Sequence, residues 1–260
     1  MQGDSALGRS LSLVRDLRTR CPWDGAQTPQ TLRPYLVEEA LELDHAIQTE
    51  DPEALKDELG DVLLHLAFQI VIAEERSQFN AEVVTRSLEE KMWRRHPHLY
   101  AGVQGADHAK WEMVKRREPR AGGKRGTLAG LPPTLPPLLA AYRLQERAAG
   151  VGFDWPDAKG PMAKVKEEVA EVERETGAGS RDKLEEEIGD LLFAVVNLAR
   201  KLSVEPGRAL ERANTKFTRR FEEVETLAAE RGLEMGRASL EELDRLWEET
   251  KVAEGRRKTP

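Results

Sequence analysis

The 260-residue sequence predicts an all-α chain built from two tandem helical bundle modules. Three observations carry that prediction. Apolar residues recur at three- and four-residue spacing over long stretches, and the alternation of a half-buried strand is nowhere sustained. Capping and breaking residues stand where those stretches begin and end. One acidic constellation also occurs twice. Adding 129 to Glu39, Glu42, Glu58, Gly60 and Asp61 gives Glu168, Glu171, Glu187, Gly189 and Asp190. A chain with 47 acidic residues places one Glu-rich turn by chance, but five matched residues in register indicate two copies of one module.

The elements follow in order. Residues 6–20 read as a helix with Leu11, Val14 and Leu17 on one side. Pro and Gly mark Cys21-Pro22-Trp23-Asp24-Gly25 as a loop. Thr31 to Gln48 is helical, with Leu36, Ala40, Leu43 and Ile47 as its apolar stripe. Asp51-Pro52 starts the next helix, the Asp as cap and the Pro in the first turn. That helix runs to about Arg76 through Leu55, Leu59, Val62, Leu63, Leu66 and Ile70. Asn80 caps another helix to about Arg95, which Pro97 stops, and Asp107 to Glu118 forms a shorter one. Residues 119–137, rich in Gly and Pro, are the candidate linker between modules 1–118 and 138–260. Helix resumes from Leu138 to Ala149, and Gly150 to Pro156 is a second loop placed like the first. Helices at 160–176, 181–203, 205–232 and 239–254 complete the chain. The 181–203 helix has a broad apolar face of Leu184, Ile188, Leu191, Leu192, Val195 and Leu202.

Composition narrows the class. The chain is 39% hydrophobic and 33% charged, with a net charge of -7, which argues against a nucleic acid polymer as partner. The single cysteine, Cys21, excludes an internal disulfide framework and fits a reducing cytoplasm. Residues 1–20 lack an apolar core of signal-peptide length, and no uncharged run is long enough to span a membrane.

The acidic pattern carries the chemistry. Glu168 and Glu171 are three apart, as are Glu187 and Asp190, so each pair shares a helix face. Four carboxylates converging between two packed helices repel unless a cation is held there. Oxygen-only ligands suit a hard divalent ion such as magnesium, which keeps several waters and shares itself with phosphates. A Glu-rich face is more often simply solvated, and it is the duplication in register that favours the functional reading. Glu42 and His45 imitate half of a di-iron motif, but Arg174 occupies the corresponding place in the second copy. For His96-Pro97-His98 a helix stop is the simpler role than a metal site.

Glu-Glu-x-x-Glu followed by Glu-x-x-Asp resembles the signature of the all-α nucleoside triphosphate pyrophosphohydrolases, and specifically of the MazG family. Cys21-Pro22-Trp23-Asp24, Leu32-Arg33-Pro34-Tyr35, Arg94-Arg95-His96-Pro97-His98, Gly152-Phe153-Asp154-Trp155 and the segment from Lys216 to Phe221 are similar to family segments. The resemblance covers nearly the whole chain. It implies the two-module, dimeric form of the family and a magnesium-dependent reaction. In that reaction a nucleoside triphosphate and water give the monophosphate and pyrophosphate.

By the same resemblance Glu168, Glu171, Glu187 and Asp190 hold magnesium and form the catalytic set. One of them, or Glu167 or Glu186 beside them, accepts a proton from water. Lys164 and Lys183 each lie one turn before a site carboxylate and are placed to meet the triphosphate. Lys216 and Arg220 share a face suited to phosphate oxygens, and Trp247 with Lys251 suits a base and a phosphate. Lys115, in Trp111-Glu-Met-Val-Lys115, is a further candidate contact. The first module keeps the acidic residues Glu39, Glu42, Glu58 and Asp61, but Tyr35 and Ala54 stand where the second has Lys164 and Lys183. The second module is therefore expected to be the working site. A related enzyme acting on dUTP or phosphoribosyl-ATP, and a non-catalytic nucleotide- or partner-binding regulator with relic acidic sites, are the competing readings.

Overall fold

A computed structural model describes residues 5–100 and 126–257 of the chain. The helix expected from Asp107 to Glu118 and linker residues 119–125 lie outside the described residues. The chain divides into two compact units, Met1–Val114 and Lys115–Pro260. Among the described residues every regular element is a helix.

The first unit begins with α1 (Ala6–Arg20), whose N-cap Ser5 accepts a hydrogen bond from the Gly8 amide at 2.9 Å. Next comes α2 (Pro22–Ala26), a five-residue helix where the sequence suggested only a loop. Pro22 explains the difference: its fixed φ suits a first helical position, where a missing N–H costs nothing. Then follow α3 (Pro29–Thr49), entered through a Thr28–Thr31 capping box, and α4 (Pro52–Glu75), capped by Asp51 as expected. Asn80 caps α5 (Ala81–Arg95), and Pro97 both ends it and opens the four-residue α6 (Pro97–Tyr100).

Helices α1, α3 and α4 pack around Val14, Leu32, Ala67, Phe68, Val71 and Ile72, with Leu11 and Leu64 against them. The inward face of α3 is rotated from the expected stripe. It passes through Leu32, Leu36, Glu39, Leu43 and Ala46, while Ala40 is exposed and Ile47 is 56% exposed. Stepping by 3.6 residues from Leu32 reaches Glu39, not Ala40, so burying Leu32 and Ala46 carries a carboxylate inward. On α4 the same geometry turns His65, Phe68 and Ile72 inward and leaves the expected core residues Leu59 and Leu66 exposed.

The second unit contains α7 (Pro137–Ala149), α8 (Lys159–Ala178), α9 (Arg181–Lys201), α10 (Pro206–Glu230) and α11 (Leu240–Arg257). Gly179 at φ 86 and Ser180 join α8 to α9, and these two helices pack on each other. The left-handed Gly179 is what permits so short a connection. Helix α9 also packs on α7, and α10 on α11. A core of Val224, Ala228 and Leu246 collects Leu227, Leu233, Met235, Leu243 and Trp247 around it. The broad apolar face of α9 is only partly used. Ala194 and Val196 are buried, whereas Ile188, Leu192, Val195 and Leu202 are exposed. Asp154 holds the loop before α8, accepting from the Arg200 and Lys201 side chains at 2.5 and 2.8 Å. Burial works against its charge, but these two cations outweigh it and hold the carboxyl below the usual range.

The rotated α3 stripe has a direct consequence for stability. Replacing Ile72, which is 1% exposed, by Ala should lower unfolding free energy by about 2–5 kcal/mol. Replacing Ile47 by Ala should change it by less than about 0.5 kcal/mol. Urea unfolding of both variants measures the contrast, and equal losses would place Ile47 in the core after all.

Candidate metal centres

In the second unit α8 supplies Glu167, Glu168 and Glu171, and α9 supplies Glu187 and Asp190. Helix periodicity puts Glu168 and Glu171 on the α8 face that packs against α9. Carboxylate oxygens of Glu168, Glu187 and Asp190 all lie within 4.8 Å of one another, and so do those of Glu167, Glu168 and Glu171. Glu168 belongs to both groups and is 2% exposed. Its Oε1 is 2.5 Å from the Lys164 ammonium, and its Oε2 is buried with no hydrogen-bond partner. Lys164 also donates to Glu167 at 2.9 Å, and these two carboxylates raise its pKa. Burial, then the charges of Glu171, Glu168 and Asp190, push the Glu187 carboxyl upward. Glu171 accepts from Arg174 at 2.9 Å. Lys183 and Glu186 are exposed in the first turns of α9.

A buried carboxylate oxygen without a donor, beside neighbours that resist ionisation, is a local electrostatic cost. The donor set is all oxygen, and it fits a hard divalent cation that would satisfy the orphaned Glu168 oxygen and remove the repulsion. The residues therefore fit a hard divalent cation, with Glu168 shared between the group of Glu187 and Asp190 and the group of Glu167 and Glu171.

The first unit repeats the arrangement. Glu39 on α3 and Glu58 and Asp61 on α4 bring their carboxylate oxygens within 4.8 Å of one another. Glu42, one turn from Glu39, lines a groove of about 890 Å³ with Glu38, His45, Asp51 and Glu58. Burial followed by Asp61, Glu42 and Glu58 raises the Glu39 pKa, with His65 opposing. Burial, Glu42, Asp61 and Asp57 raise that of Glu58, whose Oε2 is buried without a partner.

The cations expected on α10 and α11 are placed otherwise. Lys216 lines a groove of about 530 Å³ with Arg212, Thr215, Arg219 and Glu254, and none of the four site carboxylates lines it. Arg220 turns its Nε and Nη2 to Glu254 Oε2 at 2.8 and 2.7 Å, and Arg219 Nη2 meets Glu254 Oε1 at 2.5 Å. The Arg220 guanidinium also sits 5.8 Å from the Trp247 ring centre, and Phe217 packs 5.3 Å from that ring. Trp247 is thus part of the α10–α11 core, and Lys251 pairs with Glu248 at 2.6 Å. Lys115 lies outside the described residues. Sequence reasoning missed Glu254 and Arg212. Glu254 falls seven residues after Trp247, on the same helical face, which is the signal that could have found it.

Comparison with known proteins adds an independent line. A family model, the MazG nucleotide pyrophosphohydrolase domain, matches residues 27–100 and 158–225. Each matched segment contains one of the acidic clusters, and the second also contains Lys216 and Arg220. The chain is 43% identical over 244 residues to the nucleoside triphosphate pyrophosphohydrolase/pyrophosphatase MazG of Thermotoga maritima, covering 93% of this chain and 94% of that protein. It is 41% identical over 247 residues to the nucleoside triphosphate pyrophosphohydrolase of Escherichia coli K12, covering 93% and 94%. A Bacillus subtilis protein, YabN, is 42% identical over 252 residues, which are 94% of this chain and 51% of that protein.

The raised Glu187 pKa fixes the sign of a pH effect. A carboxyl easier to protonate in the fold than in the unfolded chain contributes stability at low pH and loses it as pH rises through the folded value. With divalent ions chelated, Glu187→Gln should therefore melt at a higher temperature than wild type at pH 7–8. The difference should vanish below about pH 4, where carboxyls are protonated in both states. Added magnesium should stabilise wild type and not the variant. A variant that melts lower in chelator would show that Glu187 makes a net favourable interaction as a charge.

Proposed function

This chain belongs to the MazG nucleotide pyrophosphohydrolase family, and we propose that its second acidic site performs the family reaction with magnesium held by Glu168, Glu171, Glu187 and Asp190. The chain is a nucleoside triphosphate pyrophosphohydrolase, releasing the monophosphate and pyrophosphate. The observation that carries the site assignment is Glu168: a 2% exposed carboxylate with one oxygen unpartnered at the meeting of four others.

Magnesium, when bound, supplies positive charge to the phosphates and acidifies a water. The chain's own residues do the rest. Glu167 and Glu186 flank the site carboxylates and are the candidates, with the four themselves, to take the water's proton. Lys164, paired with Glu167 and Glu168, would stand beside a held cation and offer its ammonium to the triphosphate. Lys183, one turn before Glu187, meets the same anion. Lys216 provides a cation in the α10 groove for a phosphate, with Arg220 fixed against Trp247 and Glu254 behind it. Trp247, Lys251 and Lys115 complete the proposed nucleotide contacts.

The two modules, 1–118 and 138–260 joined by 119–137, divide the labour unequally, since Tyr35 and Ala54 deprive the first of the cations that Lys164 and Lys183 give the second. We also propose a homodimer in which the exposed Ile188, Leu192 and Val195 of α9 are covered by a second copy. Among the described residues no helix is long and apolar enough to cross a membrane. Nucleotide substrates and the lone Cys21 fit a cytoplasmic setting, where the enzyme would clear unwanted triphosphates.

Two measurements test this reading. With magnesium and each common nucleoside triphosphate, Glu168→Ala should lose pyrophosphate release by at least about a hundredfold, whereas Glu39→Ala should keep most of it. The reverse order would exchange the roles of the modules. Lys164→Ala should raise KM about tenfold or more, as expected for losing a charge-assisted phosphate contact. An unchanged KM with raised magnesium affinity would confine Lys164 to pairing with Glu168.

A further inference from the structure

Outside the acidic site the second unit also buries the carboxylate of Glu254, 9% exposed near the end of α11. Its Oε2 accepts from Arg220 Nε at 2.8 Å and lies 2.7 Å from Arg220 Nη2, and its Oε1 lies 2.5 Å from Arg219 Nη2. The Arg220 guanidinium is held on a second side, its carbon 5.8 Å from the Trp247 ring centre. Trp247 is itself fixed. Phe217 packs 5.3 Å from its ring, and its carbonyl accepts from the hydroxyl of the buried Thr250 at 2.8 Å. Glu254 also lines the groove of Arg212, Lys216 and Arg219. One carboxylate thus touches both the groove and the Arg220–Trp247 pair.

A buried ion pair is a poor device for tying helices together, because desolvating both charges offsets most of their attraction. Val224, Ala228 and Leu246 already join α10 to α11 by apolar contact. What the pair supplies is orientation. An arginine side chain has many rotamers, and ordering it only when a ligand arrives weakens binding. Glu254 takes the Nε and Nη2 hydrogens on one edge of Arg220 and leaves its Nη1 for a phosphate oxygen.

We propose that Glu254 is a positioning residue for nucleotide binding. It sets the Arg220 guanidinium against Trp247 before the triphosphate arrives, and Arg220 keeps both partners once the triphosphate is bound. The proposal rests on the assignment of Arg220 to the nucleotide. Removing a negative charge from a groove of cations would by itself tighten the hold on an anion. Releasing a positioned arginine loosens it, and here the loosening is the larger effect. Without Glu254 the Arg220 side chain, 19% exposed, would sit largely buried with no acceptor and turn toward water, away from Trp247.

Pyrophosphate release from a nucleoside triphosphate with magnesium is measured for the full chain carrying Glu254→Gln, Arg220→Ala or both. Glu254→Gln should raise KM about tenfold with kcat changed less than about twofold. On the Arg220→Ala background the same substitution should change KM less than about twofold. A KM unchanged or lowered by Glu254→Gln, or raised equally on both backgrounds, overturns the proposal. Arg220→Ala with the KM of wild type overturns the nucleotide assignment of Arg220 and the proposal with it, whereas a raised KM there and none in Glu254→Gln overturns the proposal alone. Arginine side-chain ¹⁵N nuclear magnetic resonance of wild type guards against a misfolded variant. The Arg220 Nε–H should be rigid without nucleotide and stay hydrogen-bonded when a non-hydrolysable triphosphate is added. An Nε–H that is mobile in the free protein, or released from Glu254 on binding, overturns the proposal by itself. If wild type releases no pyrophosphate, the reaction assignment fails, and the resonance experiment still decides the role of Glu254.

Discussion

The structure turns on a repulsion. Each helix pair carries carboxylates on the faces where the helices meet, and in each pair one carboxylate, Glu58 or Glu168, keeps a buried oxygen without a partner. Folding alone does not remove that cost. In the second unit Lys164 reduces it at Glu168, and burial with neighbouring charge still pushes Glu187 toward its neutral form. In the first unit Glu39 and Glu58 are pushed the same way. Carboxylates gathered this closely favour a cation, because an ion bound among them relieves the repulsion and its binding free energy adds to the stability of the fold.

Much of this was legible in the sequence, for a physical reason. Helix periodicity is rigid, so residues three apart must share a face, and the duplicated constellation revealed which faces matter. Helix starts followed the caps expected of them: Asp51 and Asn80 each begin an element. The stripes of α3 and α4 were less legible because each helix offers more apolar residues than one partner can cover. Which arc is buried depends on the neighbour, and the neighbour chose Leu32 and Ala46 over Ala40 and Ile47. The same uncertainty hid His65, which reads as a polar interruption of an apolar run until α3 is laid against it.

The α10 and α11 residues expose another boundary. Lys216 and Arg220 stand one turn apart on one helix, yet spacing says nothing about what the opposing helix presents. Arg220 is committed on its edge to Glu254 and on its face to Trp247, so its neighbour relations are those of a cross-link between helices. The duplication also has limits. Acidic positions persist in both units, while Tyr35, Ala54 and His65 stand where the second unit has Lys164, Lys183 and Ala194.

The Glu254 clamp has an electrostatic consequence. Arg212, Lys216, Arg219 and Arg220 bring four positive charges to one stretch of α10, and Glu254 subtracts one where it bridges two of them. The attraction felt by an approaching polyanion is thus smaller than the count of basic residues suggests. It is concentrated at the Lys216 end, where among the described residues no carboxylate pairs with Arg212 or Lys216. Ionic strength acts most strongly on exposed charges and least on buried pairs, so salt would screen Arg212 and Lys216 while leaving the Arg220–Glu254 bond nearly intact. The helices would stay tied together in brine that had already dulled the groove.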